Sequence, residues 1–190
     1  MINMTTLFIK NMVCNRCIMA VQRIFEQNEL SIIKIDLGEV EIKELLSDSQ
    51  KEKLDKELTA LGFELIDDKK NRLTEQIKTI IIQLVHHQDN EMKNNLSEIL
   101  SKELYHDYNY LSNLFSEVEN TTIEKYFIAQ KIERVKELLV YDELSLSEIA
   151  DKLNYSSVAY LSNQFKKITG YTPSKFKQLE SNNRKPLDLV

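Results

Sequence analysis

The chemistry-bearing residues of this chain fall in two places. Near its start, Cys14 and Cys17 are the only cysteines among 190 residues and stand as Cys-x-x-Cys. The first residues, MINMTTLFIK, lack a basic stretch followed by an apolar secretory core, and cytoplasmic residence is the expectation. In that setting the spacing points to metal or thiol redox chemistry before a structural disulfide. Near the end, residues 152–185 hold seven basic side chains (Lys152, Lys166, Lys167, Lys175, Lys177, Arg184 and Lys185) against one acid, Glu180. The local balance is +6 in a chain whose net charge is −5. Total charge is a poor guide when charge is so unevenly placed, and a basic end is what a polyanionic partner requires.

Other chemistries are excluded. Gly38, Gly62 and Gly170 are the only glycines and lie far apart, so neither a phosphate-cradling loop nor a dinucleotide fingerprint can be assembled. His86 and His87 are adjacent and point in different directions on a helix, and His106 falls in a turn, so ordinary surface positions are expected for all three. No serine-based motif and no carboxylate pair at a recognisable spacing supports catalysis, and no enzyme is expected. Both prolines stand near the C-terminus, so neither supplies the cis-proline wall of a thioredoxin-type enzyme. No apolar run approaches the roughly 20 residues of a membrane-spanning helix, and no membrane partner is expected.

The cysteines need a frame, and residues 1–68 describe one. Leu7 to Lys10 reads as a strand, and Cys17 to Glu29 as a helix with Val21, Ile24 and Phe25 at helical spacing. Residues 31–37 and 39–45 are rich in β-branched side chains and meet near Gly38, which suits a hairpin. Ser49 with Glu52 forms a capping-box pattern for a helix through Leu54, Leu58 and Leu61, stopped by Gly62, before a last strand from Phe63 to Ile66. The order βαββαβ predicts an α+β, ferredoxin-like domain with two helices on one antiparallel sheet. Residues 69–93 follow as a connecting helix, on which Leu73, Ile77, Ile80 and Leu84 form a short apolar seam. The seam fits either packing against a neighbouring domain or a homodimer contact through the 71–88 helix.

The basic end belongs to an internal repeat. Placing Leu96–Lys125 over Leu146–Lys175, at an offset of 50 residues, gives thirteen identities in thirty positions, among them Leu-Ser-Glu-Ile at 96 and 146 and Tyr-Leu-Ser-Asn at 110 and 160. Each copy opens with a capped short helix (Asn95 with Glu98, Ser145 with Glu148) and enters a second helix. The apolar positions of that second helix are Leu111, Leu114, Phe115 and Val118, or Leu161, Phe165 and Ile168. Thr121 to Tyr141 reads as one rigid helix between the copies, and Thr172-Pro173 as a cap followed by proline at the first helical position. The fold class is therefore an α+β front domain followed by an all-α paired helix-turn-helix domain over 94–180, with a tail at 181–190.

The stretch from about Asn94 to Gln178 resembles the DNA-binding domain of AraC/XylS-type transcription regulators. IADKLNYSSVAYLSNQFKKITGYTPSKFK (149–177) carries the resemblance, with Phe165-Lys166-Lys167, Gly170 and Thr172-Pro173 where the pattern has them. Asn154 stands where the pattern prefers glycine, and asparagine also tolerates the left-handed conformation. The resemblance implies double-stranded DNA as partner, RNA polymerase as a further one, and the second helix of each copy in the major groove. Its solvent-facing positions are then Asn109, Ser112 and Asn113 in the first copy and Val158, Ala159, Ser162 and Asn163 in the second. Asparagine can hold adenine bidentately, and Val and Ala can touch a thymine methyl, so an A/T-leaning site is expected. Lys166, Lys167 and Lys175 suit phosphates. The region 94–151 has five basic residues against twelve acidic ones, which phosphate repels. The second copy is expected to dominate, with the first an adjusting contact or a partner-binding surface.

Met12-Val13-Cys14-Asn15-Arg16-Cys17 resembles the M-x-C-x-x-C loop of heavy-metal-associated domains, which share the βαββαβ order and often finish on a pair like Gly62-Phe63. That resemblance implies Cys14 and Cys17 as ligands of Cu(I) or Zn(II). Thiolates at a helix N-terminus suit a soft ion, and the helix dipole is expected to lower their pKa. Asn11 replaces the usual glycine before the methionine, and Arg16 places a cation between the ligands. Metal sensing, a thiol redox switch and idle cysteines stay open. The combined expectation is a DNA-binding transcription regulator modulated at Cys14 and Cys17. The alternative is a metal-handling, metallochaperone-like protein whose helical half binds a protein partner.

Overall fold

A computed structural model describes residues 4–66, 68–87 and 95–179. The chain divides into two compact units, Met1–Thr79 and Ile80–Val190. In the first, β1 (Thr5–Lys10), α1 (Asn15–Gln27), β2 (Ile32–Asp36), β3 (Glu39–Ile42), α2 (Asp48–Thr59) and β4 (Glu64–Ile66) follow one another as βαββαβ. The strands make one antiparallel sheet in the order β2-β3-β1-β4, with Leu7 opposite Val40 and Ile9 opposite Leu65. Successive side chains of a strand point to opposite faces, so Leu7 with Ile9 and Val40 with Ile42 enter one core. α1 adds Val21, Ile24 and Phe25, and α2 adds Leu54 and Leu58, both sets at spacings of three or four. The β2–β3 hairpin turns through Gly38 at φ +83, where a Cβ would also come within 3.2 Å of Thr79 Oγ1. The left-handed φ favours glycine there, and a Cβ would in addition crowd the Thr79 hydroxyl.

α2 starts earlier than the Ser49–Glu52 pattern suggests. Ser47 has the extended backbone of a cap, its N–H donates to Gln50 Oε1 at 3.0 Å, and Gln50 N–H donates to its hydroxyl at 3.4 Å. α3 (Lys69–Ile82) runs into a π-helical segment, Gln83–His87, and the division between the units falls after Thr79. Arg72 Nε donates to the Ile66 carbonyl at 3.1 Å, and its guanidinium lies 5.0 Å from the centre of the Phe8 ring. Of the expected seam, Ile77 is wholly buried within the chain while Leu73, Ile80 and Leu84 are half-buried. Intramolecular packing accounts for Ile77. The rest of the expected connecting helix (88–93), Asn94, Glu180, and the tail 181–190 with Arg184 and Lys185 lie outside the described residues.

The second unit is helical: α4 (Leu96–Leu104), α5 (Tyr108–Glu119), α6 (Ile123–Tyr141), α7 (Leu146–Lys152), α8 (Val158–Thr169) and α9 (Pro173–Gln178). α6 has 19 residues, about 28 Å of rod. Ile132, Val135, Leu138 and Leu139 of α6 share a core with Ile149, Leu161, Phe165 and Phe176. Toward its other end Tyr126 meets the buried Phe115 of α5, ring centres 5.6 Å apart. Among the described residues no helix is long and apolar enough to cross a membrane.

His86 departs from the expected surface position. Its side chain is 4% exposed, and a ring nitrogen lies 3.0 Å from Gln130 Oε1, whose amide nitrogen donates to the Tyr126 hydroxyl at 2.9 Å. Burial pushes its pKa down to about 4, against the raising effect of the Gln130 hydrogen bond, so the ring is neutral. His87 and His106 are exposed as expected.

Candidate nucleic-acid interface

α7 opens with the expected box: Ser145 N–H donates to Glu148 Oε2 at 2.7 Å, and Glu148 N–H donates to Ser145 Oγ at 3.3 Å. It closes through Asn154 at φ +51, with Tyr155 N–H donating to the Ala150 carbonyl at 2.8 Å. Asparagine thus fills a left-handed site that most side chains avoid. Tyr155 drops into the core and its hydroxyl donates to Gln164 at 2.8 Å, while Lys131 Nζ sits 3.8 Å from the centre of its ring. Burial pushes Lys131 down to about 8. Ser157 then caps α8, accepting from Tyr160 N–H at 3.1 Å.

Leu161 and Phe165, one turn apart on α8, are buried, and Phe165 meets Phe176 of α9 edge-on at 5.5 Å. With 3.6 residues per turn that anchoring leaves Ala159, Asn163, Lys166 and Lys167 exposed together on the far side. Ser162 is half-buried at the margin. Val158 differs from expectation: it stands three residues before Leu161 on the same face, and packs half-buried against the core. Ile168, expected inside, is exposed in the last turn before Gly170. Among the described residues Lys166, Lys167 and Lys175 have no carboxylate partner, whereas Lys177 pairs with Asp142.

The first copy has the same skeleton and a different surface. Asn109 and Asn113 are exposed and Ser112 is half-buried, as on α8. However, α5 is capped by Asp107, whose carboxylate accepts from Asn109 N–H at 2.9 Å. An anion there offsets the positive helix end that a phosphate would otherwise meet, which the neutral Ser157 does not do. Ser116, Glu117 and Glu119 stand where α8 has Lys166, Lys167 and Thr169. Asn95 bounds α4 without a side-chain capping hydrogen bond. The repeat also misaligns at its turn. α4 runs longer than α7, Tyr105 is itself the left-handed C-cap, and it is 92% exposed where Tyr155 is 9%. Sequence identity at that pair conceals opposite roles. The paired caps, Asp107 and Ser157, and the exposed Tyr110 and Tyr160 were not singled out from the sequence, although the repeat holds both signals.

In the front unit Cys14 occupies the N-cap of α1, and its Sγ lies 3.5 Å from that of Cys17, both thiols free and half-buried. Asn11 takes φ +70 and its amide donates to the Gly62 carbonyl at 2.9 Å, which accounts for asparagine at a glycine position. Met12 is buried in the core and Arg16 is exposed. Burial pushes the Cys17 thiol up, more than its backbone hydrogen bonds pull it down, opposite to the lowering expected from the helix dipole. Among the described residues no group of three or more His, Cys, Asp and Glu side chains gathers to hold a metal. Soft thiolates select Cu(I), and the pair offers two of the four ligands that zinc takes in structural sites.

Residues 100–179 match the family model described as a helix-turn-helix domain. No curated protein matches the chain. The C-terminal domain of AraT, a response regulator from Geobacillus stearothermophilus, shares the fold, with 21% identity, a TM-score of 0.51, and coverage of 62% of this chain and 95% of that one. The C-terminal domain of the two-component response regulator yesN from Fusobacterium nucleatum is 27% identical with a TM-score of 0.46, covering 54% of this chain and 98% of that one. The DNA-binding domain of AdpA, solved in complex with a target DNA, is 17% identical with a TM-score of 0.46, covering 60% and 93%. The C-terminal half of the chain is a helix-turn-helix domain, preceded by a small sheet unit.

Proposed function

We propose that the chain is an AraC-type transcription regulator that binds duplex DNA mainly through its second helix-turn-helix pair. The observation that carries this reading is the single exposed face of α8 on which Ala159, Asn163, Lys166 and Lys167 stand together. Asn163 offers a bidentate match to adenine and Ala159 an apolar contact for a thymine methyl, while Lys166, Lys167 and Lys175 bind phosphate. Asn109, Ser112 and Asn113 make the adjusting contact of the first copy, weakened by Asp107 and Glu117. The front unit is a ferredoxin-like domain of the heavy-metal-associated kind, and it modulates DNA binding. Cys14 and Cys17 would hold Cu(I) there, which supplies a regulatory signal and no reaction. The partners are double-stranded DNA and RNA polymerase, and the protein acts as a binding module, not an enzyme.

The test uses the reduced full-length chain and a labelled A/T-rich duplex, with affinity measured before and after one equivalent of Cu(I) per chain. Binding that weakens with salt and shifts on Cu(I) addition supports the reading, provided the shift vanishes in the Cys14→Ser, Cys17→Ser variant. An absence of salt-dependent binding rejects the regulator and leaves a metal-handling role. A response to Cu(I) that survives in the double serine variant rejects the cysteine site alone.

A further inference from the structure

Tyr110 and Tyr160 are the same residue at matching places in the repeat, each the third residue of its helix. They are 51% and 54% exposed. Each ring is braced by an aromatic neighbour, His106 at 5.3 Å for Tyr110 and Tyr155 at 6.0 Å for Tyr160. Four other tyrosines use their hydroxyls internally: Tyr108 donates to Glu124, Tyr141 to Glu137 and Tyr155 to Gln164, and Tyr126 accepts from Gln130. Among the described residues the hydroxyls of Tyr110 and Tyr160 have no such partner. A braced aromatic ring with an unused donor has already surrendered part of the side-chain freedom that binding would otherwise cost.

Spacings of three and seven place Tyr160 beside Asn163 and Lys167, and Tyr110 beside Asn113 and Glu117. Resting on the DNA-binding reading above, we infer that Tyr110 and Tyr160 are a matched pair of backbone contacts, each hydroxyl donating to a phosphate oxygen at the groove edge. Tyrosine is among the side chains that contact phosphates, and both residues flank the asparagine row in the first turn of the helix. The role matters most in the first copy. With Glu117 standing where α8 has Lys167, a neutral donor touches phosphate without needing a cation. Two neutral donors thus hold register while Lys166 and Lys167, which have no basic counterpart on α5, add charge in the second copy.

Tyr160→Phe and Tyr110→Phe each remove one oxygen and leave the ring contact in place, so the fold is retained. The probes are labelled A/T-rich and G/C-rich duplexes of equal length, titrated with the full chain over a range of salt. For each variant the affinity for both duplexes falls by the same factor, about 3 to 10, as for the loss of one hydrogen bond. The salt slope stays at the wild-type value, because no counterion-releasing cation is lost. Unchanged affinity in Tyr160→Phe overturns the inference. So does a loss confined to one duplex, which would make the tyrosine a base reader. Unchanged affinity in Tyr110→Phe overturns it for the first copy. A wild-type chain that binds neither duplex removes the DNA reading and this inference together. Wild-type binding with both variants unaffected removes only the tyrosines.

Discussion

Asn163 and Asn113 differ in company more than in chemistry. Both are exposed at the same place of the repeat, but Asn163 stands among Lys166 and Lys167 and Asn113 among Ser116 and Glu117. Asn163→Ala should reduce the preference for A/T-rich over G/C-rich duplex by about 1–3 kcal/mol, and Asn113→Ala by less, read from paired binding isotherms. His86 makes a separate prediction about stability. Its folded pKa of about 4 lies below the ordinary 6.5, so the unfolded chain binds the proton more tightly. Stability is fully present above pH 6.5 and is lost as pH falls toward 4, by about 1.4 kcal/mol per unit. Urea unfolding across that window should show the slope, and His86→Gln should flatten it; an unchanged slope would remove His86 as its source. The sequence could not announce this histidine. Adjacent histidines on a helix read as one in and one out at best, and only the Gln130 amide facing position 86 decides which.

At the scale of elements, caps set boundaries and buried pairs set faces. Ser145 makes both halves of its box, whereas Asn95 makes no side-chain capping bond to α4. Ser145→Ala should therefore cost about 1 kcal/mol, and Asn95→Ala only a few tenths, by denaturant unfolding. Equal costs would mean that the two copies are not capped differently. Phe165→Ala should cost about 3–5 kcal/mol, because Phe165 is wholly buried against Phe176. The strand and helix order was legible because Leu7, Ile9, Val40 and Ile42 alternate while Val21, Ile24 and Phe25 recur at helical spacing. The start of α2 was not. Ser47-x-x-Gln50 and Ser49-x-x-Glu52 are equally good patterns in the sequence, and it is Ser47 that makes both halves of the box. Nor did identity at 105 and 155 disclose that one tyrosine ends a helix in solvent while the other fills a core.

Across the whole molecule, the chain is acidic, yet among the described residues α8 presents a basic face at Lys166 and Lys167. The separation is legible from sequence position alone: five basic residues against twelve acidic ones over 94–151, then the lysines of α8 and α9. What position cannot reveal is which lysines remain available. Lys177 is committed to Asp142, a residue 35 positions earlier in the chain, while Lys166 and Lys167 face outward. Phosphate neutralisation by those two should dominate the electrostatics of binding. The most direct test is the salt dependence of duplex affinity for the wild-type chain and for Lys166→Ala, Lys167→Ala. The account predicts that the variant binds every duplex more weakly and that the logarithmic salt slope falls by about 1.8, roughly 0.9 for each lost phosphate contact. An unchanged affinity with an unchanged slope would contradict it.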